Sequence, residues 1–143
     1  MNNNILFTGL NAMKQTYIII SFDKQNNWLV AEWSGIQTVK TIMEGGEMIL
    51  KYLKDNNSNK VLNDNRKVVG TWTLASEWTT NVWMPSMIEA GLKHFAWIKA
   101  KHVFSRFSID KVSAKSDKSI VRITNTLEDA VEWLKCVDET IAA

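Results

Sequence analysis

The 143 residues hold 45% apolar and 22% charged side chains at a formal net charge of +2. That length makes one domain with a real core, and the apolar-to-charged balance excludes a disordered body. The basic residues are scattered, which excludes the clustered face of a nucleic-acid binder.

Residues 1–15, MNNNILFTGLNAMKQ, read as an N-terminal lead; it is either disordered or ordered against the body through Leu6 and Phe7. They lack the long apolar core and basic flank of a secretory signal. Nowhere does the chain approach the ~20 apolar residues of a membrane span. A cytoplasmic protein is expected. Residues 17–22, YIIISF, are β-branched and aromatic, and the polar cluster 23–27 turns them into a second run, WLVAEW at 28–33. That spacing predicts an antiparallel hairpin closed by Ser34 and Gly35.

From residue 37 to about 56 the period changes. Val39, Ile42, Met43, Gly46, Ile49, Leu50 and Leu53 recur at helical spacing. Gly45 and Gly46 lie inside this helix, so close packing explains them better than a phosphate loop, which needs glycines before a helix N-terminus. The turn-forming 55–59 segment stops the helix. Residues 61–65 read as a short central strand, and a tryptophan-rich helix follows from Thr71 or Thr73, either of which can cap it. Leu74, Trp78 and Val82 step by four along its expected core face, and Pro85 predicts a break over 82–85. Residues 94–100 read as a strand covered on both faces. A short helix near 103–112, a strand at 120–123 and a last helix capped by Thr126 complete the chain. The core face of that helix is Leu127, Ala130, Val131, Leu134 and Val137. Its Cys136 is the only cysteine, which excludes an internal disulfide or cysteine-based zinc site and suits a reducing compartment. The expected fold is α/β. It has a five-stranded mixed, mostly parallel sheet with about four helices in the order β-β-α-β-α-β-α-β-α, and residues 16–143 form a single domain.

The element order is joined by Asn63-Asp64-Asn65-Arg66, Glu77-Trp78, Trp83-Met84-Pro85, Glu89-Ala90-Gly91 and the run at 127–134. Together, over roughly residues 17–137, they resemble an uncharacterised bacterial branch of the STAS-like superfamily, the fold of SpoIIAA-type anti-sigma-factor antagonists, also compared with CRAL-TRIO lipid carriers. In the phosphorylated antagonists the third strand leads into an Asp-Ser-Ser-Gly turn whose serine is the switch. Here the corresponding residues, 67–73, read KVVGTWT. Thr71 and Thr73 are the positions a phosphate could occupy, with helix capping as the simpler role, so no modification is expected.

Asp64 and Arg66 stand two apart at the end of a strand and share a face, where open α/β sheets bind ligands. The plainer reading is a staple, with Asp64 capping a neighbouring helix and Arg66 paired to Glu77 or another carboxylate. Trp72, Trp78, Trp83, Pro85 and Met87 make up the second candidate surface, for a partner or a small apolar, lipid-like ligand. The leading expectation is a non-enzymatic regulatory module working through protein contacts, with a carrier or sensor of a small apolar ligand as the alternative. An enzyme built on Asp64, Arg66 and His94 comes last, because no nucleophile elbow, phosphate loop or metal-ligand spacing is present. No cofactor or metal is expected. A homodimer is expected, its interface including residues 72–87 and Trp83 facing outward.

Overall fold

The computed structural model describes residues 3–142. Its strands are β1 (Asn3–Leu10), β2 (Thr16–Asp23), β3 (Trp28–Ile36), β4 (Lys60–Val69), β5 (His94–Ile98) and β6 (Val121–Thr124). They form one six-stranded sheet in that same order. β1, β2 and β3 pair antiparallel, and β3 to β6 pair parallel. This is one strand more than the sequence suggested. The additional strand is β1, which lies within the residues read as a lead. Gly9 is what lets β1 lie flat on its neighbour, since a Cβ there would sit 2.6 Å from the Tyr17 ring.

The β2–β3 turn forms for local reasons. Asp23 Oδ1 accepts from the backbone N–H groups of Gln25 and Asn26 at 3.0 and 3.1 Å. Asn27 takes a left-handed φ of 60°, which asparagine tolerates better than most residues. Helix α1 (Val39–Asp55) starts at a reciprocal cap. Thr41 N donates to Thr38 Oγ1 at 3.1 Å and Thr38 N donates to Thr41 Oγ1 at 2.9 Å, so two otherwise orphaned backbone donors are satisfied.

Helices cover both faces of the sheet. On one side α1, the 73–89 passage and α4 (Val103–Ser113) bury Ile18, Leu29, Val61 and Phe95. On the other, α5 (Leu127–Ala142) sets Ala130 and Leu134 against Trp28, Val30, Leu62, Ala96 and Ile98. Asp129 N donates to Thr126 Oγ1 at 3.1 Å, the expected cap of α5. No helix among the described residues is long and apolar enough to cross a membrane.

Residues 73–89 are where the sequence reading fails. The chain runs through a 3-10 turn (Thr73–Ala75), a single α turn, α2 (Ser76–Trp78), a π turn (Thr79–Trp83) and a short helix, α3 (Met84–Glu89). Neither Thr71 nor Thr73 caps it. Instead Trp72 N donates to Ser108 Oγ at 2.8 Å, and Ser105 Oγ donates to Val68 O at 3.1 Å, so α4 holds the turn. Pro85 falls in the first turn of α3, where its missing N–H is harmless. The expected core face is also inverted. Leu74 is 89% and Val82 53% exposed, whereas Trp83 is 6% exposed and Met87 fully buried. Trp83 therefore faces inward, not outward.

The rows 74-78-82 and 75-79-83-87 have the same four-residue spacing. The second row turns inward although it contains Thr79, because that hydroxyl, like the adjacent Ser76 hydroxyl, is already satisfied within the passage. Thr79 Oγ1 donates to Ala75 O at 2.9 Å and Ser76 Oγ to Thr73 O at 2.5 Å.

Tyr17 ties β2 to α1, with its hydroxyl donating to Glu44 Oε1 at 2.5 Å. Burial first, then the Glu44 carboxylate, push the phenol well above its ordinary value. The unfolded chain therefore loses this proton first, near pH ~10. The contribution to stability is complete below that pH and declines as pH rises toward the folded value. Urea midpoints are expected to fall above pH ~10 in the wild type and less steeply in Tyr17→Phe; identical slopes would contradict the assignment.

Candidate functional site

Alternation along β4 divides the Asn63-Asp64-Asn65-Arg66 run between the two faces of the sheet. Asp64 and Arg66 point toward α5. There Arg66 Nε donates to Asp64 Oδ1 at 3.0 Å and Arg66 Nη2 to Oδ2 at 2.8 Å, while the Arg66 backbone N–H adds a third bond to Oδ1 at 3.0 Å. The pair is a staple in which Arg66 takes another carboxylate, that of Asp64, in place of Glu77, and Asp64 binds Arg66 rather than capping a helix. With both oxygens engaged, Asp64 has little capacity left to act as a base or ligand.

His94 does not join them. It pairs with Lys60, whereas Asp64 pairs with Ile98, a separation of four residues or about 13 Å along the strands. The trio considered for catalysis is not one site. Among the described residues no cluster of His, Cys, Asp or Glu could hold a metal.

Asn63 and Asn65 point the other way, into a cavity of about 30 Å³ between the sheet, α1 and the 73–89 passage. Five of the seven tryptophans line it: Trp33 from β3, Trp97 from β5, and Trp72, Trp78 and Trp83 from the turn and passage after β4. The rings are ordered in pairs. Trp72 and Trp97 stack with centroids 5.8 Å apart, and Trp78 and Trp83 stack at 6.5 Å. Trp83 also meets the Phe95 ring edge-on at 5.7 Å.

The paired glycines of α1 make room for this arrangement. A Cβ on Gly45 would lie 2.5 Å from the Trp33 ring, and one on Gly46 would lie 2.8 Å from Trp78 and 3.0 Å from Trp83 Nε1. Close packing thus explains both glycines, with the second set against the passage rather than the sheet. A local irregularity helps as well. Two residues of β4, Asn65 and Arg66, oppose the single Trp33 of β3. This bulge shifts the alternation, so that Val68 rather than Lys67 faces the cavity.

Hydrogen bonds fix the polar wall. Trp33 Nε1 donates to Asn63 Oδ1 at 2.8 Å, Asn63 Nδ2 donates to Asn65 Oδ1 at 3.2 Å, and Trp83 Nε1 donates to Gly46 O at 2.6 Å. Gln37 Nε2 donates to Ser34 O at 2.9 Å while its Oε1 accepts from Thr41 at 2.9 Å. The indole nitrogens of Trp72 and Trp97 are buried without a partner among the described residues. No charged side chain lines the cavity among those residues.

Of the expected surface, Trp72, Trp78 and Trp83 come together here. Met87 is buried in the core, and Pro85 is exposed on the outer side. Sequence reasoning missed Trp33, Trp97, Asn63, Asn65 and Gln37. Part of the signal was present: the i, i+2 steps 31-33, 61-63-65 and 95-97 place these strand residues on one face, once the order of neighbouring strands is known.

No protein-family model matches the chain, and no curated protein matches it. Among solved structures it is similar to an uncharacterised protein of the DUF3478 family with a SpoIIAA-like fold from Shewanella loihica PV-4. The two are 16% identical over 94% of this chain and 98% of that chain, with a TM-score of 0.53. The fold is thus SpoIIAA-like, an α/β mixed sheet with helical cover.

Proposed function

We propose that this protein is a non-catalytic binding module that carries or senses a small, largely apolar ligand in the indole-walled cavity. The convergence of five tryptophans from separate elements on one cavity supports this reading. Ligand sites are typically concave, mostly aromatic and apolar, with a few fixed polar groups. They also favour the C-terminal side of parallel sheets, and β3, β4 and β5 deliver Trp33, Asn65 and Trp97 from their C-terminal halves. The fold itself adds nothing to the choice of function, since one fold hosts many activities.

Native mass spectrometry of the protein purified from its own host tests the proposal. A small molecule retained by the folded chain and released on denaturation is expected, with its retention lost in Trp72→Ala. Bare protein, or a ligand retained equally by Trp72→Ala, would refute this site. A second reading, contact with a protein partner or a second copy of the chain, draws on the outer row of the same passage. Leu74, Val82 and Ile88 are exposed there at 89%, 53% and 41%. A ligand that moved the passage would move this row with it.

A further inference from the structure

The direction of the hydrogen bonds around the cavity restricts the chemistry of its occupant. An indole N–H can only donate, so the bond from Trp33 requires Asn63 to present its carbonyl to that ring. Asn63 must then turn its amide N–H₂ toward Asn65, which answers with its own carbonyl. The relay ends on Asn65 Nδ2, a donor with no partner among the described residues. Trp72 Nε1 and Trp97 Nε1, on the stacked pair, are two more such donors. By contrast, the three amide carbonyls of the wall, on Gln37, Asn63 and Asn65, each already accept a hydrogen bond. The wall thus holds donors with no partner among the described residues, whereas each of its amide carbonyls is already engaged through one lone pair.

We propose, building on the cavity as the ligand site, that it selects a neutral molecule with a flat apolar body and an acceptor-only polar group, such as a ketone, lactone or ring nitrogen. A cation suits the indole faces, but the wall offers it no carboxylate. A carboxylate ligand would accept from the open donors, but burying its charge with no cation in the wall is costly. A neutral carbonyl satisfies the donors at no such cost.

Size identifies the gate. A cavity of about 30 Å³ is far below the roughly 150 Å³ that admits benzene in a protein interior. One wall must therefore move. Every residue lining the cavity is buried except Trp78, which is half-buried. It sits on the single α turn between the 3-10 and π turns, and a change of helix type within one passage is a common mark of a hinge or functional segment. Trp78 is the ring that swings aside.

Four probes of similar size test this: acetophenone, its near-isostere α-methylstyrene, phenyltrimethylammonium and benzoate. Each is titrated into ¹⁵N-labelled wild type and Trp78→Ala while the indole N–H signals are followed. Trp72→Phe and Trp97→Phe assign the two critical resonances. Acetophenone is expected to shift both signals saturably, to bind at least tenfold more tightly than α-methylstyrene and either ion, and to bind Trp78→Ala more tightly than wild type. If Trp78→Ala does not fold, Trp78→Leu provides the same comparison.

Equal or tighter binding of the hydrocarbon or of either ion would overturn the donor-based selectivity while leaving the cavity as a site. Acetophenone binding equally to wild type and the opened variant would remove Trp78 as the gate. If no probe moves the Trp72 and Trp97 signals in either protein, both the selectivity and the cavity as a ligand site fall.

Discussion

Trp83→Glu is expected to abolish cooperative folding. Trp83 is 6% exposed, its Nε1 donates to Gly46 O at 2.6 Å, and its ring packs against Trp78 and Phe95. Truncating a buried tryptophan costs about 3–5 kcal/mol, and an unpaired carboxylate left in its place adds several more. Together these approach or exceed the whole stability of a domain, about 5–15 kcal/mol. Val82→Glu, one residue earlier on the exposed row, should remain within about 0.5 kcal/mol of wild type. Urea unfolding followed by near-UV circular dichroism separates the two, and a Trp83→Glu protein with a native-like midpoint would contradict the packing described. The consequence for self-association is direct. A dimer through this segment must be tested at Leu74 or Val82, because a change at Trp83 disrupts the core before it can report on an interface.

The second large effect is expected at Asn63, which is 3% exposed and lies at the centre of the polar relay. Asn63→Ala leaves Trp33 Nε1 without its acceptor and Asn65 Oδ1 without its donor. Each orphaned buried group costs about 1–3 kcal/mol, so a loss of about 3 kcal/mol is expected, reduced where water fills the vacated space. Asn65→Ala orphans only Asn63 Nδ2 and should cost about half as much. The ordering is the discriminating result: if Asn65→Ala proves as damaging as Asn63→Ala, the relay does not run in the direction assigned.

Much of the fold was determined locally. The β-branched runs of β2 and β3, the Asp23–Asn27 turn, the amphipathic period of α1 and the Thr126 cap of α5 all arise from interactions within a few residues. For that reason they were legible in the sequence. β1 was not. Ile5 is 66% exposed and Leu6 and Phe7 are only partly buried, so this edge strand has no clean alternation to read. Its backbone pairs because β2 presents an unpaired edge, a partner that local sequence does not reveal.

The 73–89 passage and the cavity depended on tertiary structure. Two rows of residues with identical four-residue spacing competed for the core, and spacing cannot separate them. The more apolar row, Leu74, Trp78 and Val82, was the natural choice. The row that turned inward could do so because the Thr79 hydroxyl is satisfied within the passage and because Gly46 leaves room for Trp83. Asp64 and Arg66 drew attention as a charged pair at a strand end, yet each satisfies the other. Their uncharged neighbours Asn63 and Asn65 face the cavity instead. By itself, then, the sequence determined which segments become strands and helices outside β1 and the 73–89 passage, because periodicity, turn chemistry and capping act over a few residues. Only the tertiary structure decided which faces meet, because the five indoles come from residues 33 to 97 and nothing shorter than the parallel order of β3, β4 and β5 brings them together.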